Sequence, residues 1–204
     1  MRENKLKTPI GYKRRQIKGG TPSKVAANLL NRQFNPDKPN AAWVSDITYV
    51  WTYEGFLYVA TVMDLFSRRI VGWARDEHIG RHLVINALLM AICQRQPKHE
   101  VLVYSDRGSQ YASADYHVFI AEHNLRPSMS RRGNCHDNAV AASFFATFKK
   151  RVRKRKIYST REEAKTEIFN FIEMFYNPIK RHTHTGGVVS AKYEKAYLLE
   201  STRV

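Results

Sequence analysis

Three consecutive runs of β-branched and aromatic residues constrain the fold of this chain most strongly. They read W-V-S-D-I-T-Y-V-W, G-F-L-Y-V-A-T-V-M and R-R-I-V-G-W-A-R, and short turn-like joints at residues 52–55 and 64–67 separate them. Runs of this composition with short joints are typical of antiparallel strands connected as hairpins. The sequence therefore predicts a three-stranded meander that begins at Trp43.

Helical and strand patterns alternate after the meander. Residues 79–96 place apolar side chains at helical spacing, and Pro97 ends the pattern. The short apolar run V-L-V-Y-S that follows is typical of a buried parallel strand, which a helical crossover must reach. Residues 113–124 predict a second helix, and L-R-P-S-M-S predicts a short strand at the edge of the sheet.

Two further helices complete the expected fold. Residues 137–155 form the third, and the fourth begins at a capping box made by Thr160 and Glu163 and ends at Pro178. Three strands in a meander, followed by strands that alternate with helices, predict an α/β fold. We expect a mixed five-stranded sheet flanked by helices.

Two aspartates occupy positions where such a sheet would hold them rigidly. Asp46 lies inside the first run, and Asp106 directly follows V-L-V-Y-S. Magnesium prefers oxygen ligands, and a cation relieves the repulsion between two neighbouring carboxylates. A single aspartate at the end of a strand is more often part of a turn, which is how we interpret Asp64 in M-D-L-F-S-R-R. The pair therefore predicts a divalent-metal site if the two strands are neighbours.

The charge of the chain favours a polyanionic partner. Its 34 Lys and Arg residues against 18 Asp and Glu residues give a net charge of +16, and the isoelectric point is about 10.0. DNA or RNA is the expected ligand, although a merely basic protein is the alternative. Neither a membrane span nor a signal peptide is apparent, so we expect a cytoplasmic protein. Two cysteines without C-x-x-C spacing indicate neither a zinc site nor a disulfide framework.

Three strings in this order and spacing resemble a known family. They are W-V-S-D-I-T-Y-V, V-L-V-Y-S-D-R-G-S-Q-Y and N-C-H-D-N-A-V-A-A-S-F-F. The chain resembles the bacterial insertion-sequence transposases, whose catalytic core is like that of retroviral integrases and carries the acidic triad D,D,E. In that family the third string reads D-N-A-x-x-E-S-F-F, so Ala142 stands where the catalytic glutamate is expected. The resemblance implies a ribonuclease H-like fold.

The resemblance also implies a catalytic mechanism, and it identifies the group that this chain lacks. Asp46 and Asp106 would be catalytic and would bind Mg²⁺, or Mn²⁺, to cleave DNA and transfer the strand to a target. Alanine at position 142 removes the third carboxylate, which weakens metal binding. Since catalytic residues act as a unit, we expect this loss to inactivate the chain. An introduced substitution and the natural decay of a mobile element both remain open as explanations for Ala142.

Candidate DNA contacts surround this site. They are Gln110, Arg131, Arg132, Asn138, Lys149, Lys150, Arg151, Arg153, Lys154, Arg155 and Lys156. The expected partner is double-stranded DNA, at transposon ends and at the target, bound by a homo-oligomer. The alternative interpretation of such a basic run is an ordinary solvated surface that binds no DNA. His182 and His184 could suggest a metal site, but no third ligand lies at suitable spacing.

The expected organisation has three parts. Residues 1–39 form a basic N-terminal arm or linker, residues 40–178 the integrase catalytic core, and residues 179–204 a C-terminal tail. Members of the family usually carry an upstream DNA-recognition segment, so we expect the chain to be part of a longer product. Two alternative functions remain: a catalytically silent DNA-binding regulator, favoured by Ala142, and a ribonuclease H.

Overall fold

A computed structural model describes residues 26–31, 33–130, 139–153 and 157–201. The strands of its main sheet are β1 (Ala42–Thr52), β2 (Gly55–Asp64), β3 (Ile70–Asp76), β4 (Val101–Ser105) and β5 (Leu125–Met129). Their spatial order is β3-β2-β1-β4-β5. The first three strands pair antiparallel, whereas β4 is parallel to both β1 and β5. The predicted mixed five-stranded sheet, its meander and its edge strand are confirmed.

Five α-helices accompany the sheet in the described residues. They are α1 (Arg81–Arg95), α2 (Ala114–Glu122), α3 (Ala139–Phe148), α4 (Arg161–Phe169) and α5 (Ser190–Ser201). Wider π-helical turns, Lys149–Arg153 and Asn170–Tyr176, extend α3 and α4. The predicted cap of α4 is confirmed, because the Thr160 hydroxyl accepts a 3.1 Å hydrogen bond from the amide of Glu163. A short antiparallel pair, β6 (Arg181–His182) and β7 (Val188–Val189), precedes α5.

Apolar side chains cover both faces of the main sheet. Neighbouring positions on β1 and β4 point to opposite faces, as the strand period requires. Val44 and Tyr104 belong to the core that α3 and α4 complete, whereas Trp43 and Val103 belong to the core beneath α1 and α2. The sheet is therefore a rigid central layer on which side chains at the strand ends are held.

Asp64 forms the turn between β2 and β3, as predicted. It is fully buried, and its carboxylate accepts 2.9 Å hydrogen bonds from the backbone amides of Asn40 and Phe66. Burial raises the pKa of Asp64 to about 6, although these amides and Arg95 oppose the rise. This aspartate is thus a structural residue of the turn.

The last part of the chain packs onto the sheet. Helix α5 lies within the segment expected to be a tail, and its Glu194 is 5% exposed. Ser67, in the turn between β2 and β3, donates a 2.6 Å hydrogen bond to the Glu194 carboxylate. Among the described residues, no helix is both long and apolar enough to span a bilayer.

Candidate metal and nucleic-acid site

Parallel pairing places Asp46, in the middle of β1, level with Asp106, which directly follows the end of β4. Val44 on β1 pairs with Tyr104 on β4, and each aspartate lies two positions beyond one of these partners. Strand β4 ends at Ser105 while β1 continues, so a gap opens beside β1. Both aspartates line one cavity of about 150 Å³ in this gap.

Backbone amides orient the two carboxylates. Asp46 Oδ1 accepts a 2.7 Å hydrogen bond from the amide of Ile47. Asp106 Oδ1 accepts a 2.8 Å hydrogen bond from the amide of Gly108, in the turn that follows β4. Because these donors belong to the backbone, they hold the carboxylates without neutralising their charge. Two carboxylates whose orientation the backbone fixes therefore line the cavity.

Tyr111 and Gln110 complete the wall of the cavity next to Asp106. The Tyr111 side chain is buried, and its hydroxyl lies 3.1 Å from the hydroxyl of Ser45. Burial raises the pKa of Tyr111 well above its usual value, and the charges of Asp46 and Asp106 raise it further. The phenol thus stays protonated beside the two carboxylates.

Sequence reasoning missed an aromatic wall of the same cavity. Tyr49 on β1 and Tyr58 on β2 are cross-strand partners and both line the cavity. Tyr49 is 38% exposed, and Trp51, two positions on, is 45% exposed. Aromatic residues at alternating positions of a strand share one face. The alternating spacing of Tyr49 and Trp51 is the sequence signal that could have identified this exposed aromatic surface.

Ala142 lies on an exposed face of α3. The neighbouring stripe of this helix is buried on the face of the sheet that holds Val44 and Tyr104, and it consists of Ala141, Phe144, Phe145 and Phe148. Ala142 does not line the cavity of the two aspartates, and its methyl group offers no ligand atom. The described residues contain no group of three or more His, Cys, Asp or Glu side chains that could hold a metal ion.

The donor set nevertheless suits a single Mg²⁺ ion. Magnesium accepts oxygen ligands, keeps several waters and is commonly held by one or two carboxylates. Asp46 and Asp106 supply two carboxylates on one cavity. The residue types and placement of these two aspartates fit a magnesium site. The site would have two protein carboxylates, whereas the acidic triad of the family would provide three.

Part of the predicted basic surface lies within the described residues. Lys149, Lys150 and Arg151 are exposed, whereas Val152 is fully buried. The guanidinium carbon of Arg151 lies 3.6 Å from the centre of the Phe175 ring. The remaining candidates fall outside the description: Arg131, Arg132, Asn138, Lys154, Arg155, Lys156 and the side chain of Arg153.

Comparison with known proteins agrees with this architecture. Two family models, both described as an integrase core domain, match residues 36–135 and 142–198, together well over half of the chain. The chain therefore belongs to the integrase core domain family. The resemblance to insertion-sequence transposases is confirmed by the relatives found among curated proteins.

Two of these relatives come from enteric bacteria. The chain is 40% identical over 191 residues to the transposase InsF for insertion sequence IS3A of Escherichia coli (strain K12), a match that covers 94% of this chain and 64% of the relative. It is 42% identical over 173 residues to the uncharacterized 31 kDa protein of insertion element IS600 from Shigella sonnei. This match covers 85% of this chain and 64% of that protein. The chain thus spans just under two thirds of the length of these relatives.

Solved structures confirm the predicted ribonuclease H-like fold. The HTLV-2 integrase catalytic core domain in complex with magnesium superposes with a TM-score of 0.59 at 13% identity, over 78% of this chain and 99% of that chain. A chain of the simian T-cell lymphotropic virus intasome in complex with a PP2A regulatory subunit gives a TM-score of 0.65 at 15% identity, over 87% of this chain and 61% of that chain. At these identities the likeness concerns the fold.

Proposed function

We propose that this chain is the catalytic core of a DNA transposase, a metal-dependent polynucleotidyl transferase for DNA cleavage and strand transfer, inactivated at Ala142. One observation carries the proposal: Asp46 and Asp106, from neighbouring parallel strands, line a single cavity. Ala142 occupies the third position of the family pattern, on a helix packed against the same sheet.

The residues of the cavity have distinct roles in this proposal. Asp46 and Asp106 hold the metal, with their orientation fixed by the amides of Ile47 and Gly108. Tyr111, on the wall, keeps its proton beside the two carboxylates. Gln110, on the wall, is placed to contact a nucleotide near the scissile bond.

Magnesium or manganese, when bound there, would activate the attacking oxygen and stabilise the leaving oxygen of a phosphodiester. Double-stranded DNA is the proposed partner, and the exposed Lys149 and Lys150 would contact its backbone. We further propose that the protein acts as a homo-oligomer on DNA in the cytoplasm. The catalytic core would comprise residues 40–178, preceded by a basic arm.

Restoring the third carboxylate tests the proposal. Because Ala142 is exposed on a helix, Ala142→Glu should cost at most several tenths of a kcal/mol of stability. We expect this variant to nick supercoiled plasmid DNA in Mn²⁺ or Mg²⁺ roughly a thousandfold faster than the parent chain. Calorimetry should also show tighter Mn²⁺ binding, which is a readout independent of activity.

Two controls separate metal binding from a general effect of the substitution. Ala142→Gln has nearly the same size but no charge, and it should restore neither nicking nor Mn²⁺ affinity. Asp106→Asn in the Ala142→Glu background should abolish both gains. Nicking and Mn²⁺ affinity that stay at the parent level in Ala142→Glu would overturn the proposal.

A catalytically silent DNA-binding regulator is the second candidate, and Ala142 is the observation that favours it. Such a protein would bind duplex DNA and stay unable to cleave it after Ala142→Glu. Digestion of an RNA–DNA hybrid by the Ala142→Glu variant, with no action on duplex DNA, would instead indicate a ribonuclease H.

A further inference from the structure

A second cavity, of about 280 Å³, lies on the flank of α3 that does not hold Ala142. Its walls come from the start of α3, the turn between β2 and β3, and the segment that connects α4 to β7. At roughly 30 Å³ per water molecule, the cavity has the volume of about nine waters. This is enough for a phosphodiester group with part of its hydration shell.

Positive charge lines this cavity. Arg68, Lys180 and Arg181 contribute cations, and no carboxylate is among the described residues of the lining. Arg68 is 9% exposed, and its guanidinium donates hydrogen bonds to neutral oxygens: the carbonyls of Phe34 and Leu65 and the side chain of Asn35. No carboxylate accepts these hydrogen bonds, although the nearby charge of Asp64 also acts on Arg68.

A buried imidazole, that of His182, lies in the wall of the same cavity. His182 lines the cavity and is 7% exposed, and its Nε2 atom has no hydrogen-bond partner among the described residues. Burial lowers the pKa of His182 to about 4, and the charges of Lys180, Arg68 and His184 lower it further. A buried polar atom without a hydrogen bond is costly, and an anion in the cavity would offset the positive charge that surrounds this imidazole.

Helix geometry separates this cavity from the position of Ala142. Val140 and Ser143, three positions apart, line the cavity and share one side of α3. Ala142 lies about 100° around the helix from Ser143 and about 200° from Val140. The buried stripe of Ala141, Phe144, Phe145 and Phe148 lies between the two flanks. A group held in the cavity would thus position α3 without occupying the site of the aspartates.

We propose that this cavity binds a phosphate group of a DNA backbone, through Arg68, Lys180 and Arg181, beside the buried imidazole of His182. The assignment rests on the proposed function for its choice of DNA as the source of the phosphate. Two exposed residues of the lining, Arg181 and Ser143, support DNA as the source because a long polymer can reach them. The anion would also offset the concentrated positive charge.

Two probes test the proposal on the whole chain. In NMR spectra, inorganic phosphate should shift the imidazole resonances of His182 and raise the pKa of this histidine. A sulfate-free chloride buffer of equal ionic strength should produce neither effect. In salt titrations of a short duplex, Lys180→Gln and Arg181→Gln should each reduce the log–log slope by about 0.9 and weaken binding nearly tenfold at 0.1 M salt.

The control removes one exposed cation elsewhere. Lys98→Gln, in the connection between α1 and β4, should leave the His182 response to phosphate intact and change the duplex slope less than either cavity variant. Circular dichroism of Arg181→Gln, a change at an exposed side chain, checks that the fold is retained.

Each outcome decides one assignment. A His182 response to phosphate with duplex binding unchanged in both cavity variants would mean a small-anion site and overturn the DNA assignment. The absence of any His182 response to inorganic phosphate or duplex would overturn the site itself. Failure of Ala142→Glu to cleave DNA would overturn the proposed function, yet leave phosphate binding in this cavity measurable on its own.

Discussion

Arg95 on α1 donates a 3.0 Å hydrogen bond to the carboxylate of Glu194 on α5, 99 positions further along the chain. The same guanidinium lies 3.2 Å from the carboxylate of Asp64. Burial alone would raise the pKa of Glu194, but hydrogen bonds from Arg95 and Ser67, with the nearby charge of Arg69, lower it on balance. A buried ionic network therefore fixes α5 to the sheet.

Removing the Glu194 carboxylate should destabilise the fold. Glu194→Ala leaves the Arg95 guanidinium buried beside Asp64 without its second carboxylate, and losing one member of a buried ion pair costs about 3–5 kcal/mol. We expect a lower urea midpoint for unfolding. Glu200→Ala, at an exposed position of the same helix, is the matched control. Equal midpoints for the two variants would show that the network adds nothing to stability.

Gly72 on β3 allows α1 to approach the sheet closely. A Cβ atom at this position would lie 2.2 Å from the carbonyl oxygen of Ala87 and 2.6 Å from the amide nitrogen of Ala91. Both are backbone atoms of α1, so Gly72→Ala must displace the helix. We expect a loss of about 1–3 kcal/mol in the free energy of unfolding.

Gly80→Ala is the comparison for this prediction. A Cβ atom at Gly80 would meet nothing within 4 Å, and its φ of −146° is ordinary extended backbone. This variant should lose less than about 1 kcal/mol, mainly through the change of helix cap. Thermal unfolding of both variants gives the measurement, and a Gly72→Ala protein as stable as Gly80→Ala would refute the close packing.

Histidine protonation should make the fold sensitive to acid. Burial lowers the pKa of His182 to about 4 from an ordinary value of 6.5. Between these values the unfolded chain binds a proton that the folded chain does not, so the free energy of unfolding falls as the pH falls. Asp64 has a pKa raised to about 6 and acts in the opposite direction. Its contribution to the free energy of unfolding declines as the pH rises from 3.8 to 6.

A difference measurement isolates the histidine. The wild-type chain should lose more stability than His182→Gln when the pH is lowered from 7 to 4.5, as measured by urea unfolding, because Asp64 is common to both. His99→Gln, at an exposed position, should behave like the wild type. Identical pH dependence in all three proteins would contradict the role assigned to His182.

Duplex binding should weaken steeply with salt. If Lys149 and Lys150, both exposed after α3, contact phosphates, the double substitution to Gln should lower the log–log slope by about 1.8. Lys192→Gln with Lys195→Gln removes the same charge from exposed positions on α5. Affinity unchanged from low to moderate salt would exclude a phosphate-dominated contact altogether.

Local patterns in the sequence identified most of the fold. The β-branched and aromatic runs predicted the meander because such residues favour strands and because the joints between the runs are short enough for hairpins. The cap formed by Thr160 and Glu163 was predictable because both residues act within one turn of helix. The wider π-helical turns after α3 and α4 were not predicted, since their hydrogen bonds depend on how each helix packs.

The candidate site was only partly predictable. Asp46, Asp106 and Gln110 were identified from their strings, and the structure places all three on one cavity. The aromatic wall was missed because Tyr49 and Tyr58 resemble ordinary strand residues until β1 and β2 are paired.

The sequence by itself determined the order of strands and helices, the two aspartates, the alanine at position 142 and the positive charge. Only the tertiary structure decided that Arg95 meets Glu194, and that Arg68 shares a cavity with His182. These partners lie about one hundred positions apart in the chain, and no local pattern encodes such contacts. They arise because the packing of α1, α3 and the C-terminal segment on one sheet brings distant side chains together.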